Sequence, residues 1–182
     1  MSNPHIEQFQ RALDGFDARV QAAPADSWQN QSPCAEWKAR DVVAHVANNL
    51  RGVAAGLGGP AKIEVSPDED ITSAWNSTRD SLTSLFPTAD FSQNLDGPFG
   101  PMPADQLLGR IITADTLVHT WDLARSVGGD ESLASDLVEG AYSGLKPMDA
   151  MIRRPGVFSD KIEAAAGADM QTEFLSFLGR QV

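Results

Sequence analysis

Apolar residues recur at alternating spacings of three and four along most of this chain, the period of an α-helix with one buried face. Ile6, Phe9, Leu13, Phe16 and Val20 form the first such stripe and predict a helix from about Pro4 to Ala23, stopped by Pro24. A polar loop over 25–36 follows. Val42, His45, Val46, Asn49 and Val53 share one face of a second helix, from about Lys38 to Leu57, which Gly56, Gly58, Gly59 and Pro60 break. Ile71, Trp75, Thr78, Leu82 and Leu85 mark a third, from about Asp68 to Phe86, with a proline and acids at its start. Residues 87–103 read as a loop, with a short hairpin near Asp96-Gly97. A fourth helix runs from about Ala104 to Val127, where Gly128-Gly129 stops it. A fifth helical stretch spans about Ser132 to Met151, bent or broken at Pro147. Arg153-Arg154-Pro155-Gly156 reads as a turn, and Asp169 to Leu178 as a final short helix with Phe174, Leu175 and Leu178 inward. Strand patterns and internal repeats are nearly absent. The economical reading is a single all-α domain over 1–182, a helical bundle around one core.

Composition narrows the function more than the fold. The formal net charge of −11 opposes nonspecific binding to nucleic acid or to anionic lipid. The single cysteine, Cys34, excludes an intrachain disulfide and a thiolate-rich zinc site. No apolar run approaches the roughly 20 residues that span a bilayer. The opening Met1-Ser2-Asn3-Pro4-His5 lacks the basic-then-apolar pattern of a signal peptide. A soluble cytoplasmic protein is expected.

The candidate chemistry lies in 114–124. Asp115 and His119 stand four residues apart, one above the other on a helical face that also carries Leu108, Ile111 and Val118. Polar groups on an inward face need a partner, because unpaired they are costly. A divalent metal is one such partner, and His45, itself inside an apolar stripe, supplies a third donor. Three protein ligands leave a position for water or substrate, the arrangement of catalytic rather than structural sites. The alternative is that His119 pairs directly with Asp115 or Asp122 and that His45 is an ordinary core histidine. Asp122 suits either a carboxylate orienting an imidazole or a helix-surface group. Trp37 and Trp121 read as packing residues, although a pocket-wall role is open to both. Cys34 reads first as a small buried hydrophobe and second as a reactive thiol near a helix start, His5 as a residue without a specific role, and Arg153 and Arg154 first as a solvated turn and second as a site for an anionic substrate. The run Asp68-Glu69-Asp70 reads as a helix start.

The segment Ser32-Pro33-Cys34-Ala35-Glu36-Trp37-Lys38-Ala39-Arg40-Asp41, leading into a helix with His45, resembles the first signature of the DinB-like superfamily. The closer likeness is to its mycothiol-dependent maleylpyruvate isomerase N-terminal branch. Asp115 to Ala124, an acid-x-x-x-His followed by x-Trp-Asp-Leu-Ala, resembles the second signature. The stretch from Arg153-Arg154-Pro155-Gly156-Val157-Phe158 through Leu178-Gly179-Arg180 resembles the closing segment of an actinobacterial metal-binding subgroup. The resemblance implies a four-helix bundle with an unusual order of helices, here carrying short extra C-terminal helices, and metal ligands at His45, Asp115 and His119. One departure stands out: the isomerase branch has Glu where this chain has Asp115. The larger isomerases also carry a C-terminal domain contributing to catalysis, which 182 residues leave no room for.

Two functions are therefore expected in turn. The first is a metal-dependent transferase or isomerase, with zinc the leading ion and nickel second. It would hold a low-molecular-weight thiol, mycothiol by resemblance, as thiolate for attack on an electrophilic small molecule. The second is a non-catalytic metal-binding module, with a homodimer compatible with either.

Overall fold

The structure is a computed structural model that describes residues 3–153 and 158–182. Four long helices form its centre: α1 (Pro4–Ala22), α2 (Ala39–Gly56), α3 (Ile71–Leu85) and α5 (Thr113–Val127). Their starts follow from local chemistry. The Asn3 side chain accepts from the His5 backbone N–H with Pro4 in the first turn, and Asp70 caps α3 by accepting from Ser73. This cap sets the start of α3 three residues after the acid run at Asp68. Gly128, at φ 68°, ends α5 in the left-handed conformation that glycine adopts without strain.

The packed pairs form a ring, α1 against α5, α5 against α2, α2 against α3, and α3 against α1. Phe9, Leu13, Phe16, Val43, Leu50, Trp75, Leu82 and Leu123 fill its interior. The indole N–H of Trp75 is satisfied by Asp17, 2.8 Å away on α1. A second apolar cluster lies on the other side of α5. There Ala114, Leu117, Val118 and Trp121 meet α6 (Ser135–Leu145), α7 (Asp149–Ile152) and α8 (Met170–Phe177) through Leu137, Val138, Ile152, Phe174 and Leu175. Helix α5 is thus covered from two sides, and two of its hydroxyls turn onto its own backbone. Thr120 donates to the carbonyl of Thr116 at 2.7 Å, and Ser126 to that of Asp122 at 2.6 Å.

Among the described residues the fold is all-α apart from one small hairpin, β1 (Asn94–Gly97) and β2 (Gly100–Pro103), paired antiparallel with Leu95 opposite Met102. Its turn falls at Pro98-Phe99, just beyond the expected Asp96-Gly97. The expected fourth helix is continuous but not uniform: α4 (Ala104–Gln106) leads into a π-helical segment, Leu107–Ile112, and then α5. Within that wide turn Gly109 lies against His5 of α1 so closely that a Cβ would meet the His5 Cβ at 2.4 Å. The Thr113 hydroxyl donates five residues back, to the Leu108 carbonyl, at 2.8 Å. The expected fifth helix divides at Pro147, which sits in a 3-10 turn, Lys146–Met148, between α6 and α7. Of the expected turn at 153–156, residues 154–156 lie outside those described.

Candidate metal centre

Helices α2 and α5 face each other across the bundle, and this brings His45, Asp115 and His119 together. Asp115 Oδ1 lies 3.5 Å from Nε2 of His45 and 3.5 Å from Nε2 of His119. The three donor atoms fall within 4.8 Å of one another. Trp37 covers both imidazoles, its ring centroid 4.8 Å from that of His45 and 5.6 Å from that of His119. It is held there by the loop before α2. Trp37 N–H donates to the Cys34 carbonyl, Ser32 pairs back to the Trp37 carbonyl, and the Gln31 amide binds carbonyls of the same turn. Asn30 ties the loop to α5 through the Ser126 carbonyl at 3.0 Å.

Behind His119 is a buried ion pair. Asp122 is fully buried and receives both Nε and Nη2 of Arg180, each at 2.8 Å, and Nδ1 of His119 at 2.9 Å. Burial alone would push the Asp122 carboxyl up, but the bonds and charges of His119 and Arg180 outweigh it and hold it below the usual carboxylate range. An ionised carboxylate only accepts, so His119 Nδ1 carries the proton and Nε2 faces Asp115. The Arg180 guanidinium, for which burial works the other way, stays firmly protonated through Asp122. The Cys34 sulfur completes this side, 3.3 Å from Arg180 Nη2 and 3.5 Å from Asp122 Oδ2.

In front of the donors is a cavity of about 1150 Å³, bounded by the 33–37 loop, by Asn48, Asn49 and Gly52 of α2, by the hairpin and by Arg180. Asp115 is held well below the ordinary carboxylate range: burial opposes this, but the facing charge of His119 and the bonds from both imidazoles prevail. His119 is raised well above the ordinary imidazole value against its own burial, through the Asp115 charge and bonds to Asp115, Asp122 and Cys34. Two nitrogens and a carboxylate oxygen converging on one point call for positive charge between them, as a proton or as a cation. Tetrahedral bonds of about 2.1 Å separate donors by about 3.4 Å. The observed 3.5 Å spacings fit such an ion.

Other residues fall differently from their sequence reading. Trp37 is a pocket wall, whereas Trp121 is a packing residue, buried with the Arg125 guanidinium 4.2 Å over its ring. Arg153 is not a solvated turn residue. Its side chain bonds Asp149 and the carbonyls of Ser159 and Phe177, and it stacks on Phe177. Arg154 lies outside the described residues. Cys34 borders the cavity rather than filling a core gap. His5 lies against Gly109 at the start of α1, outside the cluster. Arg180 and Asn49 were not singled out by the sequence as site residues. Asn49 shares a face with His45, which was a usable signal; no local pattern points to Arg180.

A family model described as the mycothiol maleylpyruvate isomerase N-terminal domain matches residues 9–124. The chain belongs to that family. The matched stretch holds His45, Asp115, His119 and Asp122 but stops short of Arg180. Two uncharacterized proteins of Mycobacterium tuberculosis, from strains CDC 1551 and H37Rv, are each 28% identical over 176 residues, covering 95% of this chain and 96% of theirs. A crystal structure of the mycothiol-dependent maleylpyruvate isomerase superposes with a TM-score of 0.57 at 16% identity, over 85% of this chain and 73% of that one. The fold is an all-α DinB-like one.

Proposed function

We propose that this chain is a metal-dependent enzyme of low-molecular-weight thiol chemistry, a transferase or isomerase acting on an electrophilic small molecule. Its ligands are His45 Nε2, Asp115 Oδ1 and His119 Nε2, its leading ion zinc and the next nickel, and its thiol mycothiol, as the family description suggests. The observation that carries the reading is the meeting of three donors, one with its tautomer fixed from behind, at the wall of a cavity of about 1150 Å³. When bound, the ion supplies a Lewis-acid position, of net charge about +1 with one carboxylate and two neutral imidazoles, that favours a thiol in its anionic form.

The chain's own residues do the rest. Asp122, anchored by Arg180, keeps the His119 proton on Nδ1 and so keeps Nε2 free to donate. Trp37 covers the two imidazoles on one side and excludes water there. The cavity leaves the remaining side open to both reactants. In this reading residues 1–182 act as one domain in the cytoplasm, as monomer or homodimer, without nucleic acid or membrane partners; no helix among the described residues is long and apolar enough to cross a membrane.

Metal analysis of protein purified without a His tag tests the first step, with about one divalent ion per chain expected. Cobalt substitution tests the second: visible absorption changes when a small thiol is added. Metal-free protein that takes up no ion sinks the reading. Uptake without response to mycothiol, glutathione or bacillithiol moves it to a non-catalytic metal-binding module.

A further inference from the structure

Asn49 stands one turn after His45 on α2 and reaches across the donor cluster. Its Nδ2 lies 3.0 Å from His45 Nε2 and 3.2 Å from Asp115 Oδ2. The Asp115 carboxylate is an acceptor, so the amide presents its NH2 end to it, and in the Nδ1–H tautomer, the one that can ligate through Nε2, His45 accepts from the same amide. The two contacts differ in what a bound cation does to them. Asp115 turns Oδ1 toward both imidazoles and leaves Oδ2 to the amide. With Oδ2 engaged by an N–H, the carboxylate offers a cation one oxygen and not two. A coordinated imidazole nitrogen, in contrast, has no lone pair left, so the contact with His45 Nε2 ends when an ion arrives. The freed N–H belongs to a side chain that borders the cavity.

We propose that Asn49 is a positioning residue of the metal centre with two roles. It holds Asp115 as a one-oxygen ligand through Oδ2. It also turns its other N–H to whatever anionic sulfur or oxygen enters from the cavity. The inference rests on the metal assignment above and adds a preference among entering groups. An anion accepts a charge-assisted hydrogen bond, roughly twice as strong as a neutral one, so a thiolate or carboxylate is favoured over a thioether or alcohol.

The test compares cobalt-loaded wild type with Asn49→Ala and Asn49→Asp, reading visible absorption, cobalt affinity by chelator competition, and the midpoint of titration with a small thiol. In Asn49→Ala the carboxylate is free to bind through both oxygens. The intense four-coordinate absorption weakens, affinity falls about 10-fold as for loss of other outer partners, and the thiol midpoint rises about 10-fold for one lost charge-assisted bond. Asn49→Asp puts an oxygen in place of the donor. It keeps cobalt at least as tightly and loses the thiol response. An Asn49→Ala protein with wild-type spectrum and thiol midpoint overturns the role of Asn49, even if its affinity or unfolding temperature has changed. Wild type that takes up no cobalt overturns the metal assignment together with it.

Discussion

Two carboxylates of α5, Asp115 and Asp122, flank the same imidazole and live in opposite surroundings. Asp122 is completely buried, and both its oxygens are bonded at 2.8–2.9 Å by a guanidinium and an imidazole N–H. Asp115 keeps 17% of its side-chain surface exposed, sits 3.5 Å from each imidazole nitrogen, and has its nearest donor in an amide at 3.2 Å. One is a finished network, in which every acceptor has its donor. The other is wider than hydrogen bonding requires and opens on a cavity. A buried polar network is stiff when fully satisfied, so the finished half holds His119 still while the wider half keeps room for a guest. Ordinary ion pairing accounts for Asp122; at Asp115 the same pairing is longer and faces a cavity.

The strongest way to break this contrast is to remove the finished carboxylate. Asp122→Ala leaves the buried Arg180 charge and the His119 N–H without a partner, and is expected to cost about 3–5 kcal/mol. Chemical denaturation measures it, and a loss under about 1 kcal/mol would mean that the network is not the fixed half. Next comes the wider half. His119→Ala is expected to abolish bound metal, whereas His5→Ala leaves metal per chain unchanged. Asp115→Ala should weaken binding while Asp115→Glu retains it, since the longer acid keeps a carboxylate on the same face of α5. Equal metal in wild type and His119→Ala would end the assignment.

A pH series sharpens the contrast from another side. His119 is raised in the fold, so in ion-free protein its contribution is fully present below about 6.5 and is lost as pH rises through the folded value. Asp115 and Asp122 are lowered, so theirs is present above about 3.9 and is lost as pH falls. The ion-free cluster is therefore strongest between about pH 4 and 6.5. Metal uptake needs neutral imidazole and runs the other way, weakening as pH falls through the raised His119 value. Thermal unfolding with and without zinc should show a shift that grows from pH 5 to pH 8; a shift indifferent to pH would speak against His ligation. The smallest effect is expected at Cys34, whose sulfur touches the finished half from outside. Cys34→Ser should keep metal content and change stability by no more than about 1 kcal/mol.

The long helices and the meeting of α2 with α5 were legible because burial writes a periodic signal into residues such as Ile6, Phe9, Leu13 and Phe16. The Asp115/His119 pair was legible because it follows that same period. Arg180 was not, since it reaches Asp122 across 58 residues and no spacing rule spans that distance. Cys34 is 146 residues from Arg180 and was placed beside it by folding alone. The π-helical segment was hidden for a different reason. Leu107, Leu108, Ile111 and Ile112 are apolar on several sides, so the stripe gives no hint that the turn is wide; the close approach of Gly109 to His5 is a tertiary fact.

That wide turn makes chain length there a matter of angle. Each residue of an α-helix advances the next by about 100° around the axis. If 107–112 closed into an ordinary helix with all its residues kept, everything downstream would swing by about that amount, because the wide turn takes up one extra residue. Asp115, His119 and Asp122 would all rotate together, away from His45, Trp37 and Arg180, with no side chain altered. The alignment of the centre is thus geared to the width of the turn just upstream of its first carboxylate.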